Sequence, residues 1–379
     1  MLALPPLSLY IHIPWCIKKC PYCDFNSHET QNNIPELEYV KALCEDFDRD
    51  YAHCHGRSIE SIFIGGGTPS LFKAKSYETL LQHIQSNANL SHTAEITLEA
   101  NPGTAESQKF KDYRAAGINR LSLGIQSFDE KQLSNLGRIH TGQESRTAIE
   151  FADTAGFNNL NLDLMHGLPQ QTSEEALDDL RTALEFDCTH ISWYQLTIEP
   201  NTVFYSRPPS LPSETVISTL EDAGNSLLSD SSYQRYEVSA FARSGKQSRH
   251  NMNYWQFGDY LGIGAGAHGK ISNSERCTVS RTRKLKQPDH YLRSSISRDA
   301  ETKLIEEGDL PLEFLLNALR TRQGFTISMF EARTGLPFST IRKKVEYLVS
   351  NGLLHSQAEW ITTSDRGFRL LNSVLQEFV

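Results

Sequence analysis

Ser8-Leu9-Tyr10-Ile11-His12-Ile13-Pro14-Trp15-Cys16-Ile17-Lys18-Lys19-Cys20-Pro21-Tyr22-Cys23 joins a short apolar run to three cysteines spaced three and then two residues apart. The run 8–13 reads as a buried strand, and Pro14 ends it because proline has no N–H to give a ladder. Three thiolates in eight residues can hold a metal centre, but they leave one iron of a four-iron cluster without a protein ligand. An iron left open binds something other than protein, so the spacing points to chemistry rather than scaffolding. Zinc is the competing reading, with His12 or His28 as fourth ligand. Zinc ribbons usually pair two Cys-x-x-Cys knuckles, however, and a second knuckle is missing here. The amino and carboxylate groups of S-adenosylmethionine are a chelating pair suited to the open iron of a [4Fe–4S] cluster.

Outward from this stretch, β-rich runs recur at 61–64, 95–99, 120–126, 159–165 and 190–196. Amphipathic segments lie among them at 34–51, 107–116, 144–155 and 173–186. Six βα units in succession imply a parallel sheet with helical crossovers. Polar residues fall at the strand ends, where α/β barrels place their active sites. The fold class expected is therefore α/β: an incomplete (β/α)6 barrel of the triosephosphate isomerase kind, open on one side. After about residue 200 the pattern changes, with Pro208, Pro209 and Pro212 marking a break. The tail reads as three helices and a hairpin, a smaller winged-helix-like α+β domain. The expected division is 1–235 for the barrel, 236–305 for a connecting segment and 306–379 for the C-terminal domain.

Bulk properties narrow the function classes. A formal charge of −9 over 379 residues argues against a chain that coats nucleic acid. The basic stretch from Arg276 to Lys286 reads as a solvated face. Arg342, Lys343 and Lys344 are a thin basic group for a DNA-reading helix, so packing or partner docking is the better role for the winged unit. No apolar run approaches the ~20 residues needed to span a bilayer, and the N-terminus lacks a signal-peptide layout. Seven cysteines, three of them in one cluster, do not resemble a disulfide framework. A cytoplasmic protein is expected.

Gly65-Gly66-Gly67-Thr68-Pro69 follows the second strand and lets backbone approach a ligand without Cβ interference. It is no phosphate loop, since no Gly-Lys-Ser/Thr follows. Glu99 is placed to accept from a ribose hydroxyl, Gln126 and Asp163 occupy equivalent strand ends, and the fork of Arg138 suits a carboxylate. In barrel order these residues form a cofactor rim.

The cysteine stretch, Gly65-Gly66-Gly67-Thr68-Pro69-Ser70, Glu99-Ala100-Asn101-Pro102, Gly124-Ile125-Gln126-Ser127-Phe128 and Asp163-Leu164-Met165-His166-Gly167-Leu168-Pro169 together resemble the radical S-adenosylmethionine family. Within it they are similar to the branch holding oxygen-independent coproporphyrinogen III oxidases and haem chaperones. The resemblance covers nearly the whole chain. It implies that Cys16, Cys20 and Cys23 bind a [4Fe–4S] cluster, and that Tyr10, Gly66, Gly67, Thr68, Glu99, Gln126, Arg138 and Asp163 contact S-adenosylmethionine. An electron donor for the cluster is implied as a partner.

Two departures separate this chain from the oxidases. They carry a further cysteine two residues after the third, where this chain has Phe25, and a longer segment ahead of the cluster than the fifteen residues here. Radical decarboxylation of porphyrinogen propionates is therefore the alternative, and an activity of that kind is not expected. Arg249-His250-Asn251-Met252-Asn253-Tyr254-Trp255 resembles the His-Asn-x-x-Tyr-Trp motif of the chaperones. It makes His250 the expected axial ligand for haem, flanked by aromatics, with His268 a second candidate. The function expected is haem binding and transfer to acceptor haemoproteins, membrane-associated ones included, with no nucleic-acid partner. A zinc-bearing winged-helix nucleic-acid binder is the remote alternative.

Overall fold

The computed structural model describes residues 2–30, 34–103, 106–294 and 296–379. Six βα units follow one another: β1 (Leu7–Ile13), α1 (Glu36–Tyr51), β2 (Ile59–Gly66), α2 (Ala74–Asn87), β3 (Leu90–Ala100), α3 (Glu106–Ala115), β4 (Arg120–Gln126), α4 (Gly142–Thr154), β5 (Leu160–His166), α5 (Ser173–Leu184), β6 (His190–Gln195) and α6 (Glu214–Asp230). Each strand from β2 to β6 pairs in parallel with its predecessor, so spatial order follows chain order without a reversal. A doubly wound sheet needs a reversal; an unbroken order with right-handed crossovers puts every helix on one face, as in a barrel.

Strands β7 (Gln234–Glu237) and β8 (Ala240–Ala242) extend the sheet beyond β6, with β8 antiparallel to both β6 and β7. At the other side β9 (Asp259–Ile263) runs parallel to β1, and β10 (His268–Asn273), β11 (Thr278–Lys284) and β12 (Asp299–Leu304) follow antiparallel. Among the described residues β7 and β12 are the free edges of one twelve-stranded sheet, so the barrel does not close. Residues 236–305, expected as a connecting segment, carry β8 to β12 and are built into this sheet.

Period-two alternation sorts the strands into two chemistries. Leu7, Leu9, Ile11, Ile13, Ile62, Ile64, Leu98, Leu121, Leu123 and Leu162 are buried in one core. The alternating positions face the other side and are polar: Ser8, Tyr10 and His12 on β1, Glu95 and Glu99 on β3, Asn161 and Asp163 on β5. One face thus builds the fold and the other is left for chemistry. Capping boxes start two of the helices, Thr141 with Glu144 and Thr172 with Glu175, each satisfying otherwise orphaned N–H groups.

The C-terminal unit has α8 (Leu310–Ala318), α9 (Ile327–Thr334) and α10 (Arg342–Ser350) after α7 (Arg249–Trp255). Its three antiparallel strands are ordered Phe325–Thr326, Trp360–Thr363, Leu354–Gln357, the winged-helix arrangement. Phe314, Phe325, Phe330 and Phe338 form its separate core, which Val279 from the main sheet and Phe257 from the turn ahead of β9 join. No helix among the described residues is long and apolar enough to cross a membrane.

Candidate cofactor site

The cysteine loop leaves β1 at Pro14 and is closed by a two-residue parallel ladder, Trp15–Cys16 against His28–Glu29. Cys16 is buried, and Cys20 and Cys23 are half-buried. Burial pushes the Cys16 and Cys23 thiols up, so a bound cation is what would hold them as thiolates. Among the described residues no three Cys, His, Asp or Glu side chains converge as a single-ion site. In a cuboidal cluster each thiolate holds its own iron, and three cysteines on one loop are a donor set of that kind.

The glycine loop is zipped onto this one. Gly67 donates its N–H to the Ile13 carbonyl at 2.7 Å, and Thr68 donates to Trp15, also at 2.7 Å. A Cβ on Gly67 would lie 2.5 Å from the Trp15 oxygen and 3.0 Å from Cys16 Sγ. Gly66 has φ +118°, a conformation that side chains rarely adopt. Its N–H donates to Glu99 Oε2 at 3.1 Å.

The other rim residues meet here. Arg138 donates to Asn101 Oδ1 at 2.6 Å, to the Gly124 carbonyl at 2.8 Å and to Cys20 Sγ at 3.7 Å, which sets a cation beside a thiol of the cysteine loop. Gln126 sits at a strand-end irregularity with φ 69°, and its side-chain oxygen accepts from Tyr194 at 2.6 Å. Asp163 accepts from Ser122 at 2.8 Å and Asn161 at 2.9 Å. The Tyr10 hydroxyl is 2.9 Å from His12 Nδ1. Thr68 Oγ1 accepts from Asn101 at 3.3 Å.

Burial, with the Asp163 charge second, pushes the Glu99 carboxyl from its usual 4.5 to about 8. The folded state therefore holds a proton that the unfolded chain releases between these values, and stability falls as pH rises through that window. Glu99→Gln, which keeps an oxygen for Gly66, is expected to raise the melting temperature of the cofactor-free protein at pH 8 and leave it unchanged near pH 4.5. Equal effects at both pH values, followed calorimetrically, would contradict a protonated Glu99.

His250 lies elsewhere. It is 1% exposed, with Nδ1 3.0 Å from Ser61 Oγ and Nε2 2.8 Å from the Tyr254 hydroxyl. Both ring nitrogens are thus engaged, and the geometry does not offer His250 to a haem iron as the sequence leads one to expect. Tyr254 and Trp255 of the same motif do reach open space. They line a cavity of about 760 Å³ together with Tyr10, Phe25, Tyr260 and His268, so it shares the Tyr10 wall with the rim. That volume is within the range of small-molecule sites.

Comparison with known proteins agrees with this layout. Residues 10–183 match the radical SAM superfamily, and residues 305–370 match the HemN C-terminal domain. Over 379 residues the chain is 47% identical to the heme chaperone HemW of Escherichia coli strain K12, covering 100% of both chains. It is 33% identical to the Bacillus subtilis strain 168 heme chaperone HemW, covering 98% of this chain and 99% of that one. This chain belongs to the HemW family of the radical SAM superfamily. Its fold is that of E. coli coproporphyrinogen III oxidase (HemN), a radical SAM enzyme, with a TM-score of 0.83, 23% identity, and coverage of 99% of this chain and 90% of that one.

Three residues of this HemW-family site escape sequence reasoning. Asn101 bridges Arg138 and Thr68, and Tyr194 meets Gln126. Asn26 donates from Nδ2 to the carbonyls of Ala265 and Lys286, both at 2.9 Å, tying the cysteine loop to the far side of the cavity. Asn101 sits two residues after Glu99, in Glu99-Ala100-Asn101-Pro102, so its spacing is a usable signal. Asn26 has no signal, because its partners are more than 230 residues away.

Proposed function

We propose that this protein is a haem chaperone, binding haem and passing it to acceptor haemoproteins, membrane-associated ones included. Full-length identity of 47% to a relative named for that role carries the reading. An aromatic cavity that shares Tyr10 with the rim supports it. Cys16, Cys20 and Cys23 would hold a [4Fe–4S] cluster, and Tyr10, Gly66, Gly67, Thr68, Glu99, Gln126, Arg138 and Asp163 would hold S-adenosylmethionine. When bound, the pair supplies one-electron cleavage of a sulfonium.

The chain's own contribution is placement. Arg138 offsets negative charge at the Cys20 side of the cluster. Gly66 and Gly67 allow close backbone approach, and Glu99 and Asp163 accept from hydroxyls. An electron donor would serve the cluster, and the reducing cytoplasm suits ligands that must stay thiolates.

The test runs two assays on one anaerobic preparation that holds about four irons per chain. Haemin-loaded protein is expected to pass haem to an apo-haemoprotein, and coproporphyrinogen III with reductant and S-adenosylmethionine is expected to stay unchanged. Sustained decarboxylation would defeat the chaperone reading in favour of the oxidase.

A further inference from the structure

We propose that haem is seated in the cavity of about 760 Å³ with its iron on His268 and its propionates on Lys19 and Lys286. This rests on the haem-chaperone reading and gives it a site. A haem needs three things together: apolar walls for a flat macrocycle, cations for two carboxylates, and an imidazole with a free lone pair.

The walls are Tyr254 and Trp255 from α7 and Tyr260 from β9. The Tyr254 and Tyr260 rings pack edge to face with centroids 4.5 Å apart, which holds both rings in place. Phe25, 62% exposed, closes the side nearest the cysteines. Phe25 is the position that separates this chain from the oxidase pattern.

The cations are unusual for an acidic chain. Lys19, Lys270, Arg281 and Lys286 line the cavity against Asp24 alone among carboxylates. Two of the four are already neutralised: Lys270 lies 3.0 Å from Asp259, and Arg281 pairs with Glu313. Lys19 and Lys286 make no ion pair among the described residues. Lys19 only reaches the Phe25 carbonyl, at 3.2 Å.

The imidazole is His268, the first residue of β10. Its side chain is exposed in the cavity and makes no hydrogen bond among the described residues. Partial desolvation inside the cavity and the neighbouring Arg283, Lys286 and Arg281 push its pKa down, keeping the ring neutral and its lone pair available. His250 offers neither nitrogen. The chaperone-type motif therefore contributes Tyr254 and Trp255 to the haem, with His250 acting as the post that orients Tyr254.

The test is haemin titration of the full chain, read by the Soret band. His268→Ala is expected to move the band away from its wild-type position and weaken haemin by about tenfold or more. Lys19→Gln with Lys286→Gln is expected to weaken haemin several-fold and leave haemin dimethyl ester, which lacks free carboxylates, unaffected. His268 is exposed, so its variant should fold; an unchanged melting temperature checks this. A wild-type band position and affinity in His268→Ala would overturn the iron assignment, and equal loss of haemin and its diester in the double variant would overturn the propionate assignment. If the wild-type protein itself gives no saturable Soret band, the chaperone reading falls first and this site with it.

Discussion

Gly67→Ala is expected to yield protein with less than half the wild-type iron after anaerobic reconstitution, and with the brown colour largely lost. The added methyl would sit 2.5 Å from the Trp15 carbonyl oxygen and 3.0 Å from Cys16 Sγ. Neither neighbour can yield easily. The Trp15 oxygen is fixed by the Thr68 N–H at 2.7 Å, and Trp15 and Cys16 are held by the ladder to His28 and Glu29. Overpacking of this kind typically costs about 1–3 kcal/mol, and it is relieved by moving the loop that carries the thiols. The β2 core residues Ile62 and Ile64 are untouched, so far-ultraviolet circular dichroism should be unchanged. Full iron retention in Gly67→Ala would mean that the loops do not need this approach.

Lys284→Met is expected to destabilise the fold by about 3–5 kcal/mol, the range for breaking a buried ion pair from one side. Lys284 is 1% exposed, with Nζ 2.9 Å from Asp46, 2.8 Å from Asp50 and 2.8 Å from Asp299. Asp46 also accepts from Tyr291 at 2.7 Å. The lysine thereby pins β11 to α1 and to β12. Methionine fills similar volume but leaves the carboxylates facing one another in a low-dielectric site. Burial already pushes Asp50 up to about 6, with Lys284 as the main opposing influence. Without that cation the carboxyl rises further and takes up a proton. A raised carboxyl pKa favours the folded state below it and disfavours it above. The deficit should therefore be larger at pH 8 than at pH 5, measured by urea unfolding. A pH-independent loss below about 1 kcal/mol, the scale of exposed pairs, would show the network to be dispensable.

Much of the barrel is legible along the chain because its signals are local. The run 120–126 recurs unchanged as β4, and 173–186 contains α5 behind its Thr172–Glu175 capping box. The helix Ala74–Asn87 has a weak local signal, since Lys73 gives it no side-chain cap and its apolar face, Tyr77, Leu80, Leu81 and Ile84, begins only after a polar turn. Whether the strands of 236–305 connect or extend the sheet depends on partners remote in sequence, Asp259 with Leu7 being one such pair.

His250 is the instructive miss. A His-x-x-x-Tyr spacing on a helix stacks the two side chains one turn apart. Reading 249–255 as a helix would have foreseen the bond to Tyr254. The second bond, to Ser61, lies 189 residues away and could not be foreseen.

Residue type and spacing determined the chemistry of this protein. Cys16, Cys20 and Cys23 sit on one loop, so eight consecutive residues carry the whole three-thiol spacing. Strand-end residues such as Glu99 and Asp163 inherit their place from a repeating βα pattern. Only the tertiary structure decided which histidine faces open space, because exposure and free lone pairs depend on elements remote in sequence. Ser61 and Tyr254 close off His250, whereas Lys19 from the cysteine loop meets Tyr254, His268 and Lys286 from the far part of the chain in one cavity.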